Sequence, residues 1–221
     1  MSLSDICACI TAATDLALAR AVADRVSLYE VRIDLIGEGW LEVAAELPHP
    51  WIACNRLVSQ GGKCVCLEDE RLAALDRAVA SGASWVDIEL CSPDAGAVIS
   101  GMRGRARVIV SHHDLMGTPD EDSLAQIVHH QMSMGADVCK VVTTARRADD
   151  VATVLQLARR FAGRGIVTFA MGSLGLASRV LAPLSGAEFT YAALTPGHES
   201  APGQCTVQTL CDIYGALERP C

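Results

Sequence analysis

The chain has 221 residues, enough for one sizeable hydrophobic core and too few for two comfortable domains. Hydrophobic residues make up 51% of it and aromatic residues only 4%, so the core is predicted to be aliphatic, as in α/β proteins. The net charge of -8 argues against a nucleic-acid partner, because phosphate binding needs a basic surface. No stretch approaches the roughly 20 apolar residues of a membrane span, and Met1–Asp5 lacks the basic region of a signal peptide. We therefore expect a cytoplasmic protein.

Short apolar runs alternate with helical patterns along the whole chain. Eight runs are predicted to be strands: Ile6–Ile10, Leu28–Ile33, Trp51–Asn55, Trp85–Glu89, Val108–His112, Val138–Val142, Ile166–Ala170 and Phe189–Ala192. Apolar residues at helical spacing lie between them, for example in Leu16–Val26, Leu67–Val79, Leu124–Met134 and Val151–Phe161. This alternation predicts a parallel sheet, and eight such units fit a single (β/α)8 TIM-barrel domain over residues 1–221.

An open, doubly wound sheet is the alternative fold. It would place a glycine-rich phosphate loop after the first strand, and Ile10–Asp15 contains no glycine. The barrel is therefore favoured. Functional groups of a barrel lie at the C-terminal ends of its strands and in the loops that follow. Polar residues collect at these ends: Glu30, Arg32, Asn55, Arg56, Asp87, Glu89, His112, His113, Asp114 and Lys140.

The ten cysteines are predicted to be free thiols. Several of them, including Cys7, Cys9 and Cys54, lie inside apolar strand-like runs, where a cysteine acts as a small hydrophobic residue. The pair Cys64 and Cys66 has C-x-C spacing, and the C-x-x-C spacing of zinc sites is absent from the sequence. We expect no metal site and no cofactor.

Lys140 is the most informative of these residues. The sequence contains two lysines, and Lys63 follows two glycines in a predicted surface loop. Lys140 instead lies within the apolar strand Val138–Val142. Burial without a partner lowers the pKa of an ammonium, and a neutral amine is the nucleophile that forms a Schiff base with a ketone. A lysine buried in a salt bridge, or one reaching out from a strand end, is the non-catalytic alternative.

Several motifs, in order along the chain, resemble those of type I 3-dehydroquinate dehydratases. The resemblance covers nearly the whole sequence. It rests on Glu30-Val31-Arg32-Ile33-Asp34, Arg56 followed by Gly61-Gly62, Trp85-Val86-Asp87-Ile88-Glu89-Leu90, Ser111-His112-His113-Asp114, Lys140, Met171-Gly172, Ser178-Arg179 and Ser200-Ala201-Pro202-Gly203-Gln204.

The resemblance implies a hydro-lyase of the shikimate pathway that converts 3-dehydroquinate to 3-dehydroshikimate and water. Lys140 matches the Schiff-base lysine, and the resulting iminium withdraws electrons and acidifies the neighbouring C–H bond. His113 matches the histidine that moves protons, a suitable role because imidazole titrates near neutrality. His112 is predicted to face the other side of the strand, and His129-His130 are interpreted as ordinary surface histidines. Homodimers are frequent in this family, so a homodimer is expected.

Substrate contacts are also implied by the motif matches. Arg179 is the candidate for binding the substrate carboxylate, because a guanidinium matches its geometry, and Arg56 is expected to line the site. Glu30 and Arg32 are predicted to bind ring hydroxyls. The Pro- and Gly-rich segment 195–204, called the lid segment below, is expected to close over the substrate. Two of its residues, Ser200 and Gln204, would make contacts, and Met171 would support the site.

Two positions depart from the family pattern. The family has a glutamate before the glycine pair, where it orients the catalytic histidine, and this chain has Gln60. Gln60 is predicted to hold an imidazole nitrogen of His113 without supplying charge, so that His113 titrates lower than it would beside a carboxylate. Cys9 ends the first strand where a small hydroxyl residue is frequent, which leaves that contact open.

Two other functions remain as alternatives. A class I aldolase also uses a barrel lysine, but many bind phosphorylated substrates, and no glycine-rich phosphate site follows the last strands. A non-catalytic barrel that senses a pathway intermediate would need an arginine clamp but no nucleophile. Lys140, His113 and Arg179 together disfavour it.

Overall fold

The computed structural model describes residues 5–48, 50–93 and 95–217. Its strands are β1 (Asp5–Ile10), β2 (Leu28–Arg32), β3 (Trp51–Cys54), β4 (Trp85–Glu89), β5 (Arg107–His113), β6 (Val138–Thr144), β7 (Ile166–Met171) and β8 (Phe189–Ala193). Each strand pairs in parallel with the next from β1 to β7, and β1 also pairs with β8. The sheet therefore curls into a nearly closed barrel, and the predicted (β/α)8 architecture is confirmed.

Helices surround this barrel. Within the described residues they are α1 (Leu16–Ala21), α2 (Ile33–Ile36), α3 (Trp40–Ala45), α4 (Glu68–Ala80), α5 (Ala95–Met102), α6 (Glu121–Met134), α7 (Ala148–Arg160), α8 (Leu176–Leu181) and α9 (Val207–Leu217). Helix α6 shows how local sequence sets the bounds. The Asp120 carboxylate accepts a hydrogen bond from the Ser123 backbone N–H at its start, and Gly135 with φ 93° ends it. No helix of the described part of the chain is long and apolar enough to cross a membrane.

Several element bounds differ from the predictions by a few residues, and two of these differences have a local cause. The second strand ends at Arg32 instead of Ile33, because the chain turns there and the Arg32 guanidinium pairs with Asp34 two residues on. The first helix ends at Ala21 instead of Val26, and a 3-10 turn, Ala23–Arg25, follows. Val22 is β-branched and leaves the helical conformation at φ -109° and ψ 8°.

Alternation along the strands separates two apolar layers. Inward-facing residues fill the barrel itself: Cys7, Cys9, Leu28, Ile52, Ile109, Val138, Val142, Val167, Phe169, Phe189 and Tyr191. Outward-facing residues such as Val31 and Val110 pack against the helices in a second, larger cluster. Polar side chains at the C-terminal ends of the strands lie above the inner layer, so the apolar interior forms the floor of the site.

Candidate active site

A cavity of about 290 Å³ opens at the C-terminal ends of the strands. Ten predicted site residues line it: Glu30, Arg32, Arg56, Gln60, His113, Lys140, Met171, Arg179, Ser200 and Gln204. They come from four strands, β2, β5, β6 and β7, and from the segments that follow β3, β7 and β8, so only closure of the barrel brings them together. The cavity has the size of a small-molecule site.

Lys140 projects into this cavity from the middle of β6. Its side chain is almost fully enclosed, with 4% of the residue exposed. Nζ donates three hydrogen bonds, to the Asp87 carboxylate at 2.9 Å, to the Tyr191 hydroxyl at 3.1 Å and to the Glu30 carboxylate at 3.3 Å. Three acceptors match the three protons of an ammonium group.

The prediction that the apolar strand keeps Lys140 uncharged is wrong. Burial alone would lower its pKa, but the carboxylates of Asp87 and Glu30 outweigh burial and raise the pKa above its ordinary value. Lys140 therefore rests as an ammonium. The salt-bridged alternative describes the resting state, and the amine must transfer protons before it can bond to a carbon atom.

Asp87 connects this ammonium to a second buried cation. Its carboxylate accepts hydrogen bonds from the Arg56 guanidinium at 2.5 Å and from the Ser111 hydroxyl at 2.6 Å. Burial alone would raise the pKa of Asp87, but Arg56 and Lys140 hold it well below its usual range. Arg56 is further paired with Glu89 at 3.1 Å, so its charge is compensated within the barrel wall.

His113 ends β5 on the same face as Ser111, and its ring lines the cavity. Within the described part of the chain, its Nδ1 is buried and has no hydrogen-bond partner. Burial lowers the pKa of His113 well below its ordinary value, and the positive charges of Arg56 and Lys140 lower it further. The ring is therefore neutral at pH 7 and has a free lone pair, as a proton acceptor requires.

The predicted contact between Gln60 and the imidazole is wrong. The Gln60 side-chain oxygen accepts a hydrogen bond from the backbone N–H of His113 at 2.8 Å. Gln60 thus fixes the end of the strand and leaves the ring free of it. The effect on His113 of a carboxylate at this position stays a prediction.

Arg179 is a buried cation that lacks a carboxylate partner among the residues that the structure describes. It is 1% exposed, its Nε is buried without a hydrogen-bond partner, and its guanidinium lies 4.2 Å from the centre of the Phe169 ring. Burial lowers its pKa to about 10. By contrast, the Arg32 guanidinium makes two hydrogen bonds to Asp34, at 2.7 and 2.9 Å. Arg179 therefore offers an uncompensated positive charge to an anion in the cavity.

The lid segment packs across the cavity mouth. The Gln204 amide nitrogen donates to Cys9 Sγ at 3.2 Å, while its oxygen accepts from the Ser200 backbone N–H at 2.8 Å. Gly203 has φ 76°, and a Cβ there would lie 2.4 Å from the Gly172 carbonyl oxygen. Only glycine permits this close approach to the loop after β7. Cys9 therefore contacts the lid segment through its hydrogen bond with Gln204. The sequence alone did not identify this partner of Cys9.

The sequence model of the type I 3-dehydroquinase family matches residues 6–219. The chain belongs to this family. It is 39% identical to a 3-dehydroquinate dehydratase of Dehalococcoides mccartyi, over 88% of each chain. It is 41% identical to one of Syntrophobacter fumaroxidans, covering 76% of this chain and 74% of the relative. The family and the enzyme class predicted from the motifs are confirmed.

Solved dehydroquinase structures have the same fold. A type I 3-dehydroquinate dehydratase of Clostridium difficile superimposes with a TM-score of 0.86 at 23% identity, covering 98% of this chain and 93% of that one. The corresponding enzyme of Enterococcus faecalis gives 0.81 at 25% identity, covering 99% and 96%.

Tyr191 is a polar residue of this candidate site that was not predicted from the sequence. It lies in the middle of β8, where an aromatic residue among apolar neighbours was interpreted as part of a strand core. Its inward-facing position was the available signal, because a hydroxyl inside a barrel needs a polar partner. That partner is Lys140.

A set of potential metal ligands lies at the same place. Glu30, Cys54 and Asp87 offer ligand atoms within 4.8 Å of one another. Their carboxylates already accept hydrogen bonds from the cationic groups of Lys140 and Arg56. The two carboxylates therefore bind the Lys140 ammonium, whose positive charge takes the place of a metal cation.

The remaining surface predictions agree with the structure. Lys63 is exposed, as are His129 and His130. The nine described cysteines are all free, including the pair Cys64 and Cys66.

Proposed function

We propose that this chain dehydrates 3-dehydroquinate to 3-dehydroshikimate through a Schiff base between Lys140 and the substrate ketone. One observation carries the proposal. The buried amine of Lys140 faces a cavity that also contains a neutral histidine, His113, and an uncompensated arginine, Arg179. A nucleophile, a proton acceptor and an anion clamp are the three groups that this reaction needs.

The chemistry follows from these groups. Lys140 condenses with the ketone, water leaves, and a positively charged iminium forms. The iminium withdraws electrons from the neighbouring carbon, so the neutral His113 ring can remove a proton from it. Protonated His113 then returns this proton to the departing hydroxyl, which leaves as water. Hydrolysis of the product imine restores the Lys140 amine.

Substrate binding is assigned to the charged groups around the cavity. Arg179 binds the carboxylate, because a bound anion supplies the negatively charged partner that the described residues do not provide. Glu30 and Arg32 bind ring hydroxyls, and the lid residues Ser200 and Gln204 exclude water. The steps require neither a metal nor a cofactor.

Borohydride reduction in the presence of 3-dehydroquinate tests the proposal. A stable adduct is expected at Lys140 and is expected to be absent in Lys140→Ala. Lys63→Ala is the matched control, since it removes the other lysine of the chain from an exposed loop and is expected to leave the adduct unchanged. Trapping by an aldol donor alone would support an aldolase, and no adduct with either compound would support a sensor.

We also propose the domain organisation, the location and the oligomeric state of the protein. We infer a single barrel domain over residues 1–221, which the family match over residues 6–219 supports. A cytoplasmic location is supported by the nine free cysteines, because disulfides are rare in reducing compartments. A homodimer is proposed because homodimers are frequent in this family, and light scattering of the purified chain tests it.

A further inference from the structure

Tyr191 differs from the two carboxylates around Lys140 because its hydroxyl carries a proton that it can donate. The hydroxyl oxygen accepts a hydrogen bond from Nζ at 3.1 Å, and Nζ lies 4.2 Å from the centre of the ring. The side chain is buried and lines the cavity. Within the described ranges, the hydroxyl donates to no protein acceptor. Its proton is therefore available to a group bound in the cavity.

The proposed condensation moves protons between two atoms beside this hydroxyl. An ammonium and a ketone combine to an iminium and water without a change in total charge. The iminium nitrogen keeps one of the ammonium protons, and the other two leave on the ketone oxygen as water. Direct transfer from nitrogen to this oxygen needs a strained four-membered arrangement. A hydroxyl within reach of both atoms avoids that strain.

We propose that Tyr191 is a further catalytic residue that relays these protons from Lys140 to the substrate oxygen. This inference rests on the Schiff-base function proposed above. The C–N bond forms as the C=O π bond opens, and two protons must move from Nζ to the substrate oxygen. In each of the two transfers, an Nζ proton passes to the phenol oxygen while the phenol proton passes to the substrate oxygen. Tyr191 is neutral after each transfer. The C–O bond then breaks as water leaves, and hydrolysis of the product imine follows the same path in reverse.

The surroundings of Tyr191 suit this role. Edge-to-face contacts with Phe189 and Phe169, at centroid distances of 5.3 and 6.1 Å, hold the ring in place. Burial raises the pKa of Tyr191 well above its ordinary value, and the charge of Glu30 raises it further, so the phenol keeps its proton at neutral pH. Asp87 is less suitable as a relay, because Arg56 and Ser111 already engage its carboxylate.

The test compares the parent chain with Tyr191→Phe, which removes the hydroxyl and keeps the ring. Rapid-quench borohydride trapping with 3-dehydroquinate measures the rate of imine formation, and intact mass measures the adduct. Imine formation is expected to slow by about tenfold to a hundredfold, the lower range of general acid–base contributions. Tyr214→Phe is the matched control, because it removes a buried hydroxyl that donates to Val180 O away from the cavity, and it is expected to trap at the parent rate.

A kinetic isotope effect separates the relay from the later elimination. With substrate deuterated at the carbon next to the ketone, the isotope effect on kcat is expected to shrink in Tyr191→Phe, because imine formation then limits the rate. Trapping at the parent rate in Tyr191→Phe would overturn the relay while leaving the Schiff-base function intact. Lack of any adduct in the parent chain would instead overturn the proposed function and the relay with it.

A second variant controls for packing and folding. 3-Fluorotyrosine at position 191 keeps the hydroxyl in nearly the same shape and is expected to restore most of the trapping rate lost in Tyr191→Phe. A rate as slow as that of Tyr191→Phe would assign the loss to packing and overturn the relay. If Tyr191→Phe does not fold, the more acidic fluorinated phenol is expected to move the alkaline limit of trapping to lower pH, and an unmoved limit would overturn it.

Discussion

The charge of Lys140 is set by partners from distant parts of the chain. Glu30 on β2 lies 110 positions from Lys140 in sequence, and Asp87 on β4 lies 53 positions away, yet both accept hydrogen bonds from Nζ. These carboxylates keep the proton on the amine against the effect of burial. The stored ammonium is a suitable resting state, because it already contains both protons that the departing water needs.

Glu30→Gln is predicted to lower the pKa of Lys140. The neutral amide removes one negative charge at 3.3 Å from Nζ. Burial favours the neutral amine, and it is then opposed by the carboxylate of Asp87 alone instead of by two carboxylates. The fraction of neutral amine grows as pH rises through the pKa, so reactivity should appear at lower pH. Acetic anhydride labelling of Lys140, followed by peptide mass mapping over a pH series, measures the midpoint.

The sequence supplies two references for this measurement. Lys63 is exposed and reports reagent reactivity in each sample. Glu46→Gln removes an exposed carboxylate that pairs with Arg20, and it is expected to leave the Lys140 midpoint unchanged. A midpoint in Glu30→Gln that stays at the parent value or rises would contradict the prediction.

Arg179→Met is predicted to weaken substrate binding without destabilising the fold. Charge-assisted hydrogen bonds contribute about 1.5–3 kcal/mol, so KM for 3-dehydroquinate should rise roughly tenfold to a hundredfold. The unfolding midpoint should not fall, because the variant replaces a buried cation that lacks a carboxylate partner among the described residues. Steady-state kinetics and thermal denaturation measure the two effects.

The control for Arg179→Met is Arg20→Met. Arg20 forms an exposed ion pair with Glu46, and such pairs contribute little to stability. Neither KM nor the unfolding midpoint is expected to change. A clear drop in the midpoint of Arg179→Met would show that Arg179 supports the fold, and an unchanged KM would remove it from the carboxylate site.

The loops after β1 and β8 are joined by a second contact outside the cavity. His198 Nδ1 in the lid segment lies 2.8 Å from the Asp15 carboxylate, which also accepts hydrogen bonds from the backbone N–H groups of Thr11 and Ala12. Asp15 thus holds its own loop in shape and binds the lid segment to it. The contact ties the lid segment to a fully buried carboxylate.

His198→Ala is predicted to loosen the lid segment while leaving the chemistry intact. His198 is 33% exposed at its side chain, and pairs of this kind contribute up to about 1 kcal/mol, so KM should rise by roughly two- to fivefold with little change in kcat. Cleavage within residues 195–204 by a non-specific protease should become faster. His130→Ala on the exposed face of α6 is the control, and equal cleavage rates in the two variants would contradict the prediction.

The strands and the rim of the barrel that contains the candidate site were predictable because both follow from local pattern. Apolar runs of strand length set the eight strands to within two residues at each end, and polar residues at their ends pointed to one rim of the barrel. Pairing between distant residues was not predictable in this way. The charge of Lys140 depends on Glu30 and Asp87, and Tyr191 is indistinguishable from a core aromatic until closure of the barrel places it beside Lys140.

Buried charges form a continuous path from the cavity to the outer helix layer. Lys140 contacts Asp87, Asp87 contacts Arg56, Arg56 contacts Glu89, and Glu89 contacts Arg71 of α4 at 2.6 Å. Each carboxylate in this path lies between two cations, so the charges compensate one another. His113 lies beside this path and contributes no charge at neutral pH. Protonation of its ring in acid would add an uncompensated positive charge to this region.

The free energy of unfolding is predicted to fall as the pH drops from 7.5 to 5.5. The unfolded chain binds a proton at His113 near its ordinary pKa of about 6.5, whereas burial and the charges of Arg56 and Lys140 keep the folded ring neutral. The unfolded state therefore binds more protons in this window, and stability decreases toward acid by at most about 1.4 kcal/mol per pH unit for one histidine. Urea denaturation at several pH values measures the slope.

His113→Asn isolates this contribution, because it removes the titrating ring from the same position. Its slope should be smaller than that of the parent, with a remainder from His112, whose pKa is also lowered by burial. His130→Asn, on an exposed helix surface, should keep the parent slope. A parent stability that stays level across this range would mean that the folded barrel protonates His113. That would require a carboxylate to compensate Arg56 and Lys140 at the ring, and Asp87 is already engaged by both cations.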